Sequence, residues 1–317
     1  MKNKMKKEII VIALGGNAIL QANEKGTYQE QVNNVKKAVA EIVKLIKEGY
    51  RVLLTHGNGP QVGNLYIQNS LAGEVVPPMP LDACSAESQG LLGYFIQQAM
   101  ENELERNNID LPVCTFVTQV LVAADDPAFK NPTKPIGPFH NKKEAEFLMQ
   151  KTPFIMKEDS NRRWRRVVPS PRPIGIIEKE IIKKNIDNGY IIVASGGGGI
   201  PVIKDGKKII GVEAVIDKDL SACRLATDIK ANILLILTDI EKVALNYNTP
   251  KQKWIDKMDI EEAKKYLSEG HFREGSMKPK IEASINFVEQ GGEKSIIGAL
   301  FSANAAIKGK SGTTITR

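Results

Sequence analysis

Apolar runs that stop abruptly at glycine recur along the chain. Ile9–Leu14 is unbroken and runs into Gly15-Gly16-Asn17. Val52–Thr55 runs into His56-Gly57-Asn58-Gly59-Pro60, Ile191–Ser195 into Gly196-Gly197-Gly198-Gly199, and Ile233–Leu237 into Thr238-Asp239. Short apolar runs without polar alternation read as strands buried on both faces. Segments of helical period lie between them. Val32, Val35, Val39, Ile42 and Ile46 share one face up to Gly49, and Leu92, Phe95, Ile96 and Ala99 form another after Asp82–Glu87. Helices are also expected at Glu178–Asn188, Ile260–Ser268 and Pro279–Glu289, and strands at Val113–Ala124 and Ile296–Ile297. This alternation predicts an α/β fold with a mostly parallel sheet covered on both faces. At about 150 residues per domain, 317 residues suggest roughly two domains, but one large α/β unit also fills that length.

One stretch breaks the rhythm. Eight of the 16 prolines lie between Pro127 and Pro173, and five arginines between Arg162 and Arg172. Proline fixes φ and cannot donate to a sheet ladder, so this stretch is not central sheet. Residues 125–172 are expected to form a small subdomain protruding from a single domain over 1–317. Arg162-Arg163-Trp164-Arg165-Arg166 could offer charge and stacking to a nucleic acid. A solvated strand edge or an internal charge network is the reading preferred here, because no second basic stripe completes a groove.

The net charge of +7 therefore raises a choice between nucleic acid and small anions. Cys84, Cys114 and Cys223 are few and widely spaced, which fits buried thiols in a reducing cytoplasm and no disulfide or zinc framework. The lysine-rich start is followed by Glu8 and an apolar run too short for a signal core. No stretch approaches the roughly 20 apolar residues of a membrane span.

The chemistry is expected where the strands end. Ligands of open α/β sheets bind outside the carboxyl ends of strands, and glycine lets backbone amides approach an anion closely. Three glycine-rich ends and an Asp at a fourth point to a polyphosphate. The chain lacks a Walker A loop, and the first strand is not followed by Gly-x-Gly-x-x-Gly, so positive charge must come from elsewhere. Two lysines supply it. Asp217 reads as an N-cap that puts Lys218 in a first helical turn, and Ser276 with Pro279 does the same for Lys280. A cation there is unfavourable by a few tenths to about 1 kcal/mol, unless a bound anion reverses the sign. Asp219 could orient the lysines or hold Mg²⁺ through water. His56, His140 and His271 have no metal-ligand spacing, and His56 reads as a turn residue.

These residues resemble a known family. Ala13–Ala18, Thr55–Gly63, Asp82–Gly90, Pro132–Phe139, Trp164–Pro171, Gly196–Val202, Val215–Leu220 and Gly275–Lys280 are similar to carbamate kinases of the amino acid kinase superfamily. The resemblance runs from the first strand to Gly312-Thr313-Thr314, and the Lys134 and Trp164 segments are specific to the carbamate kinases. His140 departs from the pattern, which has Tyr after the Pro-Phe pair, and this bears on subdomain packing. The resemblance implies a three-layer αβα sandwich with about eight strands, a homodimer, and Mg²⁺-dependent, reversible phosphoryl transfer between ATP and carbamate. It implies a run towards ATP in arginine or related nitrogen catabolism. By the same resemblance Lys218 and Lys280 flank the phosphoryl group, Asp219 orients them, and Lys134 reaches the small substrate. Gly15, Gly16, Asn17, Gly57, Asn58 and Gly59 are implied as donors to phosphate and carbamate. Gly197, Gly198, Asp239, Tyr247 and Met277 are implied to line the nucleotide pocket. The rivals are a kinase of an amino acid carboxylate or of UMP, a nucleic-acid binder, and a relative that binds nucleotide without turnover.

Overall fold

The computed structural model describes residues 8–21, 24–159, 163–273 and 275–317. The side chain of Asn17 and the residues Met1–Lys7 and Arg162, which entered the sequence reading, lie outside what is described.

Among the described residues, the first half supplies β1 (Ile9–Leu14), α1 (Tyr28–Lys47), β2 (Arg51–His56), α2 (Gly59–Leu71), α3 (Leu81–Arg106), β3 (Val113–Thr115) and β4 (Gln119–Val122). Next come β5 (Lys134–His140), α4 (Lys142–Lys151), β6 (Ile155–Asp159), β7 (Arg163–Val168), β8 (Pro173–Ile176) and α5 (Lys179–Asp187). Then follow β9 (Ile191–Val193), β10 (Ile200–Asp205), β11 (Lys208–Gly211), α6 (Lys218–Asp228) and β12 (Ile233–Thr238). The chain closes with β13 (Val243–Leu245), β14 (Lys253–Ile255), β15 (Lys257–Asp259), α7 (Ile260–Ser268), α8 (Met277–Glu289), β16 (Lys294–Ala299), α9 (Ala303–Ile307) and β17 (Thr313–Thr316).

Eight strands form the main sheet in the order β15-β17-β16-β12-β1-β2-β9-β3. Every pairing is parallel except β16 with β17. The pleat sorts β1 between two cores. Ile9, Val11 and Ala13 pack with residues of α5, α6, α7 and α8, whereas Ile10, Ile12 and Leu14 pack with α1, α3 and α9. This is the three-layer αβα sandwich. From β1 the chain crosses by α1 to β2 on one side; from β12 it crosses by α7 and α8 to β16 on the other. Right-handed crossovers that travel in opposite directions put their helices on opposite faces, and a crevice opens where they part, between β1 and β12.

The expected strand over Val113–Ala124 is two strands in two sheets. β3 ends the main sheet, and β4 joins a four-stranded sheet of order β11-β10-β4-β8. The break falls where Thr118 turns inward: its amide donates to Gln89 Oε1 at 2.8 Å, and Gln89 Nε2 donates to the Thr118 carbonyl at 3.2 Å. Residues 134–168 build neither sheet. β5, β7 and β6 form their own antiparallel three-stranded sheet, with α4 between β5 and β6 in the chain. The arginine-rich β7 is its centre strand, so the reading of a strand edge is corrected. His140 pairs across this sheet with Trp164, and its Nδ1 lies 3.8 Å from Glu144.

Candidate active site

The turns at the carboxyl ends of β1, β12 and β16 surround a cavity of about 620 Å³. Gly15 and Gly16, Thr238 and Asp239, and Ala299–Ser302 line it, with Lys218 and Lys280 entering from α6 and α8. Gly57, after β2, comes close to both partners. A Cβ there would stand 3.2 Å from the Gly16 amide nitrogen and 3.4 Å from Lys218 Cδ.

Two helix starts bring the lysines together. Asp217 caps α6 as the sequence predicts, its Oδ1 accepting from the amides of Asp219 at 2.9 Å and Leu220 at 3.4 Å. Ser276 occupies the corresponding position before α8, but its side chain makes no cap bond. Its ψ of −88° is not the extended backbone a cap needs, and the Lys278 amide donates to the Arg273 carbonyl instead, at 3.1 Å.

Asp219 receives both lysines. Lys218 Nζ donates to Oδ1, and Lys280 Nζ donates to Oδ2 at 2.8 Å. All three side chains are largely withdrawn from solvent. Burial alone would push the Asp219 carboxyl up, but the two ammonium groups and their hydrogen bonds hold it at about 2. Burial pushes Lys218 below the usual lysine value, and the neighbouring Lys280 adds to this, against the opposing pull of Asp219. The cluster therefore carries one unmatched positive charge on largely buried side chains, which an incoming anion would satisfy.

Lys134 lies apart from this cluster. It lines a second cavity of about 540 Å³ with Gly59, Gly63, Gly137 and Arg165. Its Nζ donates to Asp217 Oδ2 at 3.0 Å, on the carboxylate that caps α6. Asn58 is buried and donates from Nδ2 to Ser88 Oγ at 2.7 Å. Gly197 and Gly198, expected to line the nucleotide pocket, are in the wall of neither cavity that Asp239 lines and pack instead against Asn58 and Ile216. A Cβ on Gly197 would overlap the Asn58 side chain, and one on Gly198, at φ +95°, would meet the Ile216 carbonyl oxygen at 2.2 Å. Their glycines let the turn after β9 press against Asn58 and the approach to α6. Asp239, Tyr247 and Met277 do meet, on the wall of a third cavity of about 680 Å³. Asp239 also lines the first cavity, so the two are neighbours.

The sequence reading missed the wall formed by Ala299–Ser302 and Gln21. Ala299–Ser302 carries no glycine turn, and the signal available was position alone, the carboxyl end of the parallel strand β16; Gln21 lies a few residues beyond the glycines that follow β1. It also missed Asp217 as the partner of Lys134, a contact spanning 83 positions.

His56, expected as a turn residue, is instead the last residue of β2, paired with Leu14 of β1. It is buried, and its Nδ1 donates to the Gly57 carbonyl at 3.1 Å. Burial pushes its pKa from 6.5 to about 4. The unfolded chain then takes up a proton below pH 6.5 that the folded chain refuses until about pH 4. Stability present above pH 6.5 is lost as the pH falls through that window, by about 3 kcal/mol at most. Urea unfolding at stepped pH is expected to show a shallower loss in His56→Asn than in the unsubstituted chain; equal slopes would contradict it.

Known proteins match this arrangement. A family model described as the amino acid kinase family matches residues 8–299. The carbamate kinase of Pyrococcus furiosus is 50% identical over 309 residues, covering 96% of this chain and 98% of its own. That of Clostridium perfringens is 46% identical over 312 residues, covering 97% and 99%. The structure of carbamate kinase from Giardia lamblia bound to AMP-PNP superposes with a TM-score of 0.93 at 47% identity, over 98% of both chains. The chain belongs to the carbamate kinases of the amino acid kinase family. It is thereby an enzyme of the phosphotransferase class. The arginine cluster takes a different sense in this light. Arg166 is buried against Glu213, whereas Arg163 is exposed and lies with the half-buried Arg165 over the exposed Phe139 ring, so of these three Arg166 makes the internal pairing. No helix among the described residues is long and apolar enough to cross a membrane.

Proposed function

We propose that the enzyme transfers a phosphoryl group reversibly between ATP and carbamate, giving ADP and carbamoyl phosphate. The observation that carries this reading is the buried Lys218–Asp219–Lys280 cluster beside glycine turns, with both oxygens of Asp219 accepting from the lysines. Carbamate is already an oxyanion, so it attacks phosphorus without giving up a proton. Catalysis then reduces to in-line positioning and neutralising charge on the transferred group. Lys218 and Lys280 flank that group, and Asp219 aims both ammonium groups. Backbone amides at Gly16, Asn17, Asn58 and Gly59 hold the phosphates and the carbamate, whereas the amides of Gly15 and Gly57 donate to the Leu237 and Leu14 carbonyls, so these two glycines serve by letting the backbone come close. Gly197 buttresses Asn58 and Gly198 the approach to α6 at Ile216, and Asp239, Tyr247 and Met277 hold the nucleotide.

Mg²⁺ fits as a companion of the nucleotide. Among the described residues no group of three His, Cys, Asp or Glu side chains converges as a metal site, and Asp219 has both oxygens on lysines. Magnesium commonly keeps its waters and is held mainly by substrate phosphates, with few protein ligands. Asp239, whose carboxylate accepts from Thr238 Oγ1 at 2.9 Å, is the side chain placed to meet such a hydrated ion. The metal would neutralise phosphate charge.

Residues 125–172 act as a lid that carries Lys134 to the carbamoyl group. Carbamoyl phosphate is a mixed anhydride, which favours net flow towards ATP, as in arginine or related nitrogen catabolism. The free thiols of Cys84, Cys114 and Cys223 suit a cytoplasmic enzyme. Exposed Leu91 and Tyr94 on α3, with Val117 beyond the edge strand β3, suit pairing of two copies as a homodimer.

Kinetics of Lys134→Met test the assignment of the lid lysine. The KM for carbamoyl phosphate is expected to rise at least tenfold, the loss of a charge-assisted contact of about 1.5 kcal/mol or more, while the KM for ADP holds. An unchanged KM for carbamoyl phosphate would contradict it.

A further inference from the structure

One segment, residues 213–217, ties the sheet of β5, β7 and β6 to the first turn of α6. Arg166 on β7 donates from Nη2 to Glu213 Oε2 at 2.6 Å. The Val215 amide donates to the Pro169 carbonyl at 3.0 Å. Lys134, at the start of β5, donates to Asp217 at 3.0 Å. Asp217 in turn caps α6 through its other oxygen. The placement of that sheet is thus transmitted to the turn that carries Lys218 and Asp219.

Arg166 is the unexpected member of this seam. It is only 8% exposed, and its guanidinium carbon lies 3.9 Å from the Phe154 ring centroid and 4.9 Å from that of Tyr66. Tyr66 belongs to α2, and Phe154 immediately precedes β6. Nη1 is buried with no hydrogen-bond partner among the described residues. A buried charge so sparsely satisfied is a poor source of stability, and an apolar side chain of similar volume would serve at least as well. What the planar guanidinium adds is geometry: it stacks on two rings and pairs with a carboxylate, fixing three elements against one another. Directly across the ladder from Arg166 stands Ile136, two residues beyond Lys134. Ile136 itself joins Val62, Leu81 and Val168 in a small separate core under the sheet.

We propose that Arg166 is a positioning residue for Lys134. Its clamp on Tyr66, Phe154 and Glu213 sets how deeply Lys134 enters the cavity shared with Gly59 and Gly137. When a carbamoyl anion draws Lys134 off Asp217, the Arg166–Glu213 pair and the Val215–Pro169 bond remain, so β5 keeps its register while the ammonium changes partner. The inference rests on Lys134 being the side chain that meets the carbamoyl group.

A double-mutant cycle tests it, with ATP formation from ADP and carbamoyl phosphate as the readout. Arg166→Met keeps the bulk and removes the plane and the charge. It is expected to raise the KM for carbamoyl phosphate on the order of tenfold while leaving the KM for ADP and the melting temperature near those of the unsubstituted enzyme. In a Lys134→Met background the same change is expected to shift that KM less than about twofold, since both act on one contact. Arg166→Lys, which keeps the charge but not the stack, is expected to fall between. Equal effects of Arg166→Met in both backgrounds, or an effect on ADP alone, would overturn the clamp. Should Arg166→Met not fold, Glu213→Gln carries the same cycle, because Glu213 is largely exposed. A normal carbamoyl phosphate KM in Lys134→Met alone would mark the failure as lying in the underlying role of Lys134, and would remove both.

Discussion

Lys280→Ala is expected to lose about two orders of magnitude in carbamoyl phosphate-dependent ATP formation, or roughly 3 kcal/mol of transition-state stabilisation. The fold is expected to survive, because Asp219 still holds Lys218 and no buried charge is orphaned. What changes is the balance of the cluster, from two ammonium groups on one carboxylate to a neutral pair. A neutral pair has nothing left to offer the charge that builds on the phosphoryl oxygens. Steady-state rates beside a thermal melt separate the two properties. Turnover like that of the unsubstituted enzyme, or loss of the folded state, would contradict this.

Asp219→Ala is expected to fail in the other direction, losing stability first. It leaves Lys218 and Lys280 buried with like charge and no shared acceptor. Removing one partner of a buried ionic group costs about 3–5 kcal/mol. Lys218 already sits below its usual pKa of 10.5, and the substitution lowers it further. For a lysine depressed in the folded state, stability is lost as the pH falls through the folded pKa. The variant should therefore regain stability as the pH rises towards 10.5, more steeply than the unsubstituted enzyme, in which Lys218 is less depressed. An anion such as sulfate is expected to raise its melting temperature more than that of the unsubstituted chain. Urea unfolding at two pH values checks both, and a variant as stable as its parent would sink the reading of Asp219.

The contrast between elements shows what the sequence made legible. β1, β2, β9 and β12 stood out because strands buried on both faces are written as apolar runs, and glycine marks where backbone must approach something. Ile260–Ser268 was legible to the residue because a helical face begins right after Asp259, a capping residue. Val113–Ala124 misled because its apolar run continues while the chain changes sheets, a turn set by the distant Gln89. Ser276 had the right chemistry for a cap, but the loop from Arg273 decides its backbone. Lys218, Asp219 and Lys280 were recognisable as candidates from their helix starts and from the family resemblance. That they share one carboxylate, and that Lys134 rests on Asp217, depends on contacts spanning 61 and 83 positions. Such pairings leave no trace in local spacing.

A coupled assay for ATP formed from ADP and carbamoyl phosphate, in the presence of Mg²⁺, puts the proposed reaction to the most direct trial. ATP is expected with carbamoyl phosphate, to be lost in Lys280→Ala, and, run in reverse, ADP is expected with carbamate but not with acetylglutamate, glutamate, aspartate or UMP. No ATP from carbamoyl phosphate, or ADP formed as readily with one of those other acceptors, would contradict the assignment.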